Sequence, residues 1–276
     1  MIKALVVNLT VGADRDAAAQ FAVSIAQAFE AHIAGIAFAF DPIITPTVMD
    51  GLSAAWVDTQ RIENRAAGQA AIDRFEAAAA RQGLSAEHRL IEASLGGAAG
   101  LFGRIARRFD LAVVGQMEPD RMAPDNLFVE SALFESGRPI VVVPYIQNEG
   151  LKLGRVLVCW EGSRNAARAM ADAMPFLRRG TAIEIVTVSD GRGAKDEIAG
   201  ADIGQHLARH GLAVEVKRLV ADDTDVANTI LSYAADCAAD FIVMGGYGHS
   251  RLREFVLGGM TRGMLGAMTV PALMSH

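Results

Sequence analysis

The stretch Asp240–Thr261, DFIVMGGYGHSRLREFVLGGMT, decides how this chain folds. Phe241–Met244 is a short apolar run stopped by Gly245 and Gly246, the pattern of a strand covered on both faces and ended by a turn. Gly245 and Gly248, then Gly258 and Gly259 after nine intervening residues, are points where backbone approaches a ligand without a Cβ in the way. A helix start is predicted near Met260, so the exposed N–H groups of these turns suit an anion, a phosphate above all. Ordinary turn glycines can have the same spacing, and the glycines alone leave that reading open.

Working outward, Asp110–Gly115 (DLAVVG) echoes Asp240–Gly245 (DFIVMG), and the echo extends along the chain. Ala4–Leu9 matches Val156–Trp160 as an opening buried strand. Asp14 or Asp16 caps a helix running through Glu30, and Ser163 caps one over Arg164–Arg178, where Pro175 distorts the last turn. Ile33–Phe40 matches Ile183–Ser189. The copies then diverge: the first carries an extra loop, Asp41–Ser53, and a long Ala-rich helix over Ala54–Gln82 ended by Gly83, whereas the second has a helix over Ala194–His210 ended by Gly211. Glu87–Ile91 parallels Val214–Val220, helices over Ala98–Arg108 and Val226–Ala238 follow, and Pro139–Val143 parallels Pro271–Met274. Gly96, Gly97, Gly100 and Gly103 read as turn and helix-packing glycines.

Five strands alternating with four helices, written twice, predict parallel sheets with right-handed crossovers and ligands outside the carboxyl ends of the strands. Two domains follow, 1–147 and 152–276, with a linker around Ile146–Lys152. At 276 residues each half is large enough to bury its own core. A chain that is 51% hydrophobic and 21% charged is a folded α/β protein, not a disordered one. The net charge of −6 argues against nonspecific nucleic-acid or acidic-membrane binding. With Cys159 and Cys237 as the only cysteines there is no disulfide framework or metal cluster, and a cytoplasmic location is the default expectation. No signal peptide and no membrane span are predicted.

The spacing Gly245-x2-Gly248-x9-Gly258 resembles the nucleotide-binding signature of the universal stress proteins, whose last glycine is normally followed by Ser or Thr. Gly259 stands there instead, which removes a hydroxyl and keeps a backbone N–H. The likeness to tandem universal stress proteins covers the whole chain. It implies two doubly wound domains, each a five-stranded, mostly parallel sheet of order 3-2-1-4-5 flanked by four helices. It also implies an adenine nucleotide, ATP or AMP/ADP, with Mg as an accompanying ion. In the family an acid, usually Asp followed by a small residue and Ser, comes after the first strand; Glu161-Gly162-Ser163 holds that position, and its carboxylate serves a base or ribose where the pocket admits one more methylene. The resemblance adds Val188 at the end of the second strand, Met244 before the glycine turn, and Thr261. Val188 and Met244 fit the core equally well, and Glu161 equally fits a solvated residue before an N-cap.

His249, Arg251, Arg253 and Arg262 surround these glycines with Glu254 opposing them, which complements a phosphate chain, with Arg251 the foremost candidate. A solvated charged loop would look the same. In the first half the chain continues Gln116-Met117-Glu118-Pro119 and places Asn126 and Leu127 where Gly258 and Gly259 fall. Glu118, Asp120, Asp125 and Glu130 outnumber Arg121 there, so one nucleotide site per chain is expected, in the second half.

His206 and His210 stand at i and i+4, a metal-compatible spacing, but a third ligand is not visible and no metal site is assigned. There is no P-loop, no GxSxG, no HExxH and no GxGxxG after the first strand, so no catalytic residue is assigned either. The expected function is a regulatory or protective ATP-binding protein of the stress response. A slow ATPase or phosphotransferase using His249 or Glu161, and an interaction scaffold with a decayed site, are the alternatives. Strands Pro139–Val143 and Pro271–Met274 are expected to pair within the chain, giving an intramolecular pseudo-dimer, with homodimerisation left open.

Overall fold

A computed structural model of the chain describes residues 1–42, 54–118, 125–189, 201–221, 225–246 and 259–276. It falls into two compact units, residues 2–138 and residues 139–276 with Met1.

In the first unit, β1 (Ala4–Asn8), β2 (His32–Phe40), β3 (Ala86–Ala93) and β4 (Leu111–Gly115) lie in the order β3-β2-β1-β4. Every pairing among them is parallel. The helices are α1 (Ala17–Phe29), α2 (Ala54–Arg81), α3 (Leu95–Ala106) and α4 (Asp125–Glu135). Of the two candidate caps, Asp16 starts α1, its carboxylate accepting from the Ala19 N–H. Gly83 follows α2 at φ +70°, a left-handed position that needs no side chain. α3 begins earlier than its apolar pattern suggests. Ser94 caps it through the Gly97 N–H, so Gly96 and Gly97 open the helix instead of forming a turn before it. Gly103 lets α3 press on α4, since a Cβ there would meet Ser131 Oγ at 2.6 Å and its carbonyl oxygen at 2.8 Å.

The second unit contains β5 (Ile140–Val143), β6 (Arg155–Cys159), β7 (Ala182–Ser189), β8 (Glu215–Val220), β9 (Phe241–Gly245) and β10 (Ala272–Ser275). Its order β8-β7-β6-β9-β10 is the expected 3-2-1-4-5. These strands pair in parallel. Beyond β10 lies β5, antiparallel, with Ala272 opposite Val142 and Met274 opposite Ile140. Pro139–Val143, written as the last strand of the first copy, is therefore built into the second unit.

The helices of this unit are α5 (Arg164–Leu177), α6 (Ala201–Arg209), α7 (Val226–Asp236) and α8 (Gly259–Ala267). Ala166, Ala169, Ala173, Phe176 and Leu177 make one buried face of α5 at helical spacing. Phe176 stacks on Phe241 of β9 at 5.1 Å between ring centroids, an arrangement worth about 0.5–1.5 kcal/mol beyond the area it buries. The helix predicted from Ala194 runs from Ala201 within the described residues. No helix among the described residues is long and apolar enough to cross a membrane.

The halves differ inside the sheet as well. Pairing register makes Ala34 the counterpart of Glu184: Val6 faces Ala34, and Leu157 faces Glu184. Both positions are buried, but Glu184 is charged and spends one carboxylate oxygen on Arg155 and the other on the Tyr233 hydroxyl, which donates at 2.5 Å. A buried carboxylate is tolerable only with such partners. Tyr233 is correspondingly hard to ionise, through its own burial and then its bond to Glu184.

Candidate functional site

Parallel strands bring the carboxyl ends of β6, β7 and β9 to one edge of the second unit's sheet, and β6 and β9 are direct neighbours there. The chain leaves β6 with the Trp160 N–H donating to the Val186 carbonyl at 2.8 Å. Glu161 follows, exposed, and Gly162 turns the chain at φ +75°. That left-handed position strains any residue with a Cβ. Ser163 then caps α5: its hydroxyl oxygen accepts from the Ala166 N–H at 3.1 Å while the same hydroxyl donates to Glu161 Oε1. The carboxylate is thereby held at the positive end of α5, where the helix dipole favours it.

The exit from β9 is fixed against the same helix. A Cβ on Gly245 would lie 2.7 Å from the Ala166 nitrogen and 2.8 Å from the Asn165 carbonyl carbon, both backbone atoms that cannot swing away. Gly245 is thus required first by the approach of α5. Asn165, buried to 5% exposure, donates from Nδ2 to the Gly246 carbonyl at 2.6 Å, and the Gly246 N–H donates to the Ser275 carbonyl of β10 at 2.8 Å. The chain therefore leaves Gly246 from a point anchored to α5 on one side and β10 on the other.

The remaining sequence-derived residues divide by position. Val188 is half-buried near the carboxyl end of β7, opposite Leu219 of β8. The Met244 side chain is in the core, so what this residue can offer a ligand is its backbone. Gly259 opens α8 and Thr261 is buried in its first turn. α8 sits close to α7, since a Cβ on Gly263 would meet Ala227 Cβ at 2.9 Å. Gly248, Arg251 and Gly258, with His249, Arg253 and Glu254, lie outside the described residues. The structure thus joins Glu161 to the start of α5 through Ser163, and joins Gly245 to the same helix turn through Asn165 and Ala166.

Asn165 and Ser275 take part in this edge without having been singled out in the sequence. The signal for Asn165 was a polar side chain one residue past the first position of a helix whose other inward positions are largely alanine. Beneath the edge, Cys159 is buried, and burial, followed by the nearby Glu161 charge, pushes its thiol up to about 12. Such a thiol is held in its protonated form, the less nucleophilic one. His276, beyond β10, is held below its ordinary value by burial and then by Arg164.

The first unit resolves the same corner differently. The Leu9 N–H donates to the Ile36 carbonyl as Trp160 does to Val186, which makes Thr10 the counterpart of Glu161. Asp16 is buried, and accepts from the Thr10 N–H at 2.7 Å and the Ala19 N–H at 2.9 Å. Gly115, the counterpart of Gly245, has open surroundings, its nearest neighbour being Ala18 Cβ at 3.8 Å.

An open, mostly parallel sheet with an acid and a glycine turn leaving adjacent strands at the carboxyl edge defines an α/β protein of the doubly wound class, the edge at which such sheets take their ligands. Residues 152–276 match the model of the universal stress protein family. The chain is similar to a universal stress protein of Synechocystis sp., with 28% identity over 172 residues, 60% of this chain and 57% of that protein. It thus spans a little over half the length of that relative. Its fold is also that of a solved universal stress protein from Archaeoglobus fulgidus, with a TM-score of 0.72 at 15% identity, covering 99% of this chain and 97% of that one. A functionally unknown protein from Pseudomonas aeruginosa gives a TM-score of 0.60 at 12% identity, covering 99% and 92% of the two chains.

Proposed function

We propose that this chain is a tandem universal stress protein whose second half, residues 152–276, binds an adenine nucleotide. ATP is the leading candidate over AMP or ADP, with Mg2+ accompanying the phosphates. The observation that carries this reading is the meeting of two features on neighbouring strands of the family-matching half. Glu161, held by Ser163, leaves β6, and the anchored Gly245–Gly246 exit leaves β9.

In this reading the Glu161 carboxylate accepts hydrogen bonds from the base or ribose, and Val188 and the Met244 backbone line the base side. Backbone N–H groups at Gly245, Gly248, Gly258 and Gly259 cradle the phosphates, assisted by Arg251 and Thr261. The first half, residues 1–147, carries no second site. The protein works as a cytoplasmic regulatory or protective binder, and no residue is given a hydrolytic role.

Calorimetric titration of the intact chain with ATP tests this, alongside a Gly248→Glu variant that puts a side chain and a charge into the cradle. Binding near one nucleotide per chain that the variant abolishes is the expected result. A stoichiometry near two, or undiminished binding by the variant, overturns it. Steady Mg-ATP turnover well above about 1 per second would replace the binding role with an enzymatic one.

A further inference from the structure

A feature of the second unit stands apart from its proposed nucleotide edge. α6 is a nine-residue helix whose Ile203 and Leu207 are buried, and His206 and His210 follow at the end of it. The two imidazoles have come together: their ring centroids are 4.8 Å apart with the planes at 60°. His206 is half-buried and His210 is exposed.

We propose that His206 and His210 form an i, i+4 clamp for a divalent transition-metal ion, with zinc as the ion tested. Imidazole nitrogen suits zinc, nickel and copper, and disfavours magnesium and calcium, which take oxygen ligands. A zinc ion sits about 2.0–2.1 Å from each ligating nitrogen, which in tetrahedral geometry places two such nitrogens about 3.3 Å apart. Side chains at i and i+4 lie on one side of a helical turn, and centroids 4.8 Å apart put the two imidazoles within reach of one ion. The carbonyls at the end of α6 carry partial negative charge and favour a cation there. Arg209, between the two histidines in sequence, opposes it. No group of three or more His, Cys, Asp or Glu side chains suited to a metal occurs among the described residues. In the proposed site the two imidazoles are the protein ligands and water takes the other positions of the ion. Such a site is open and exchangeable. Its effect is local: isolated helices this short are marginal, and an ion bridging residues 206 and 210 staples the last turn of α6.

The experiment is calorimetric titration of the intact, untagged chain with zinc chloride in a non-coordinating buffer, with amide hydrogen exchange of residues 203–210 followed in parallel. The expected result is one zinc ion per chain. His206→Ala and His210→Gln should each weaken it about tenfold or more, and zinc should slow exchange across α6 in the parent only. Because His210 lies past the helix end and is exposed, His210→Gln keeps the test valid if His206→Ala loosens the fold. Absence of saturable binding, binding unchanged in both variants, or binding without slower exchange in α6 would each overturn the proposal.

Discussion

The two turns that follow the opening strands put an acid to opposite uses. Between Leu9 and Asp16 the first unit makes a long turn whose acid, Asp16, is buried and spends its oxygens on the Thr10 and Ala19 N–H groups. Between Trp160 and Ser163 the second unit makes a short turn, gives the cap to a serine, and leaves Glu161 exposed at the helix start. Where a hydroxyl does the capping, the carboxylate stays at the surface; where a carboxylate does it, the acid is buried in the turn. The glycine at the end of the fourth strand follows suit, since the short turn draws α5 onto Gly245 while Gly115 keeps open space.

The largest expected effect comes from the buried pair Ala34 and Glu184. Arg155→Met should lower the melting temperature more than Gly245→Ala or Asp16→Asn does, because it leaves the Glu184 carboxylate buried without its cation. Exchanging Glu184, Arg155 and Tyr233 together for apolar residues should restore much of the loss. Equal losses in the single and triple variants would show that the cluster does not act as a unit.

Gly245→Ala should destabilise by about 1–3 kcal/mol, since the new methyl meets the backbone of α5. Gly115→Ala should cost clearly less. Denaturant titration of both variants makes the comparison, and equal costs would break it.

A smaller effect separates the two caps by their pH dependence. Burial raises the Asp16 pKa against the opposing pull of the Ala19 and Thr10 hydrogen bonds. A carboxyl that titrates higher when folded than when unfolded, where the value is about 3.9, contributes stability below that unfolded value. The contribution is lost as pH rises through the raised folded value. The stability difference between the parent and Asp16→Asn should therefore move in the variant's favour as pH is raised from about 4 toward neutrality. Ser163→Ala should cost about 1 kcal/mol at any pH in that range. Thermal melts across pH read both.

The smallest effect is on reactivity alone. Cys159, buried and hard to ionise, should resist thiol reagents at neutral pH until the chain unfolds. Asn8 holds the equivalent place in β1, and a thiol introduced by Asn8→Cys should be equally protected. Rapid labelling of either in the native chain would show that one of these edges opens.

Much of this was legible beforehand because the signals are local. Apolar runs gave the strands, Ser163 and the Asp14/Asp16 pair marked the helix starts, and glycines marked helix ends such as Gly83. What stayed hidden depends on groups distant in sequence. The Glu184 carboxylate meets Arg155 and Tyr233 only after β6, β7 and α7 assemble. Asn165 finds its partner, the Gly246 carbonyl, only when β9 is delivered to the start of α5. Gly245 could be read as making room for a ligand, whereas the room is first taken by α5. The early start of α3 is masked in the sequence because Ser94 precedes two glycines, poor helix formers that a cap can nonetheless enlist.

The placement of β5 has a consequence for how the chain tolerates cutting. The sequence repeat ends after Val143, yet the compact unit begins at Pro139, so a break in the backbone at 146–152 would not separate folding unit from folding unit. It would leave the second fragment with β10 missing its antiparallel neighbour, while that neighbour travelled on the first fragment. The two pieces would then be related as subunits are in strand exchange, with the covalent link replaced by the β5–β10 ladder. A chain nicked in its apparent linker should therefore stay in one piece until it is denatured.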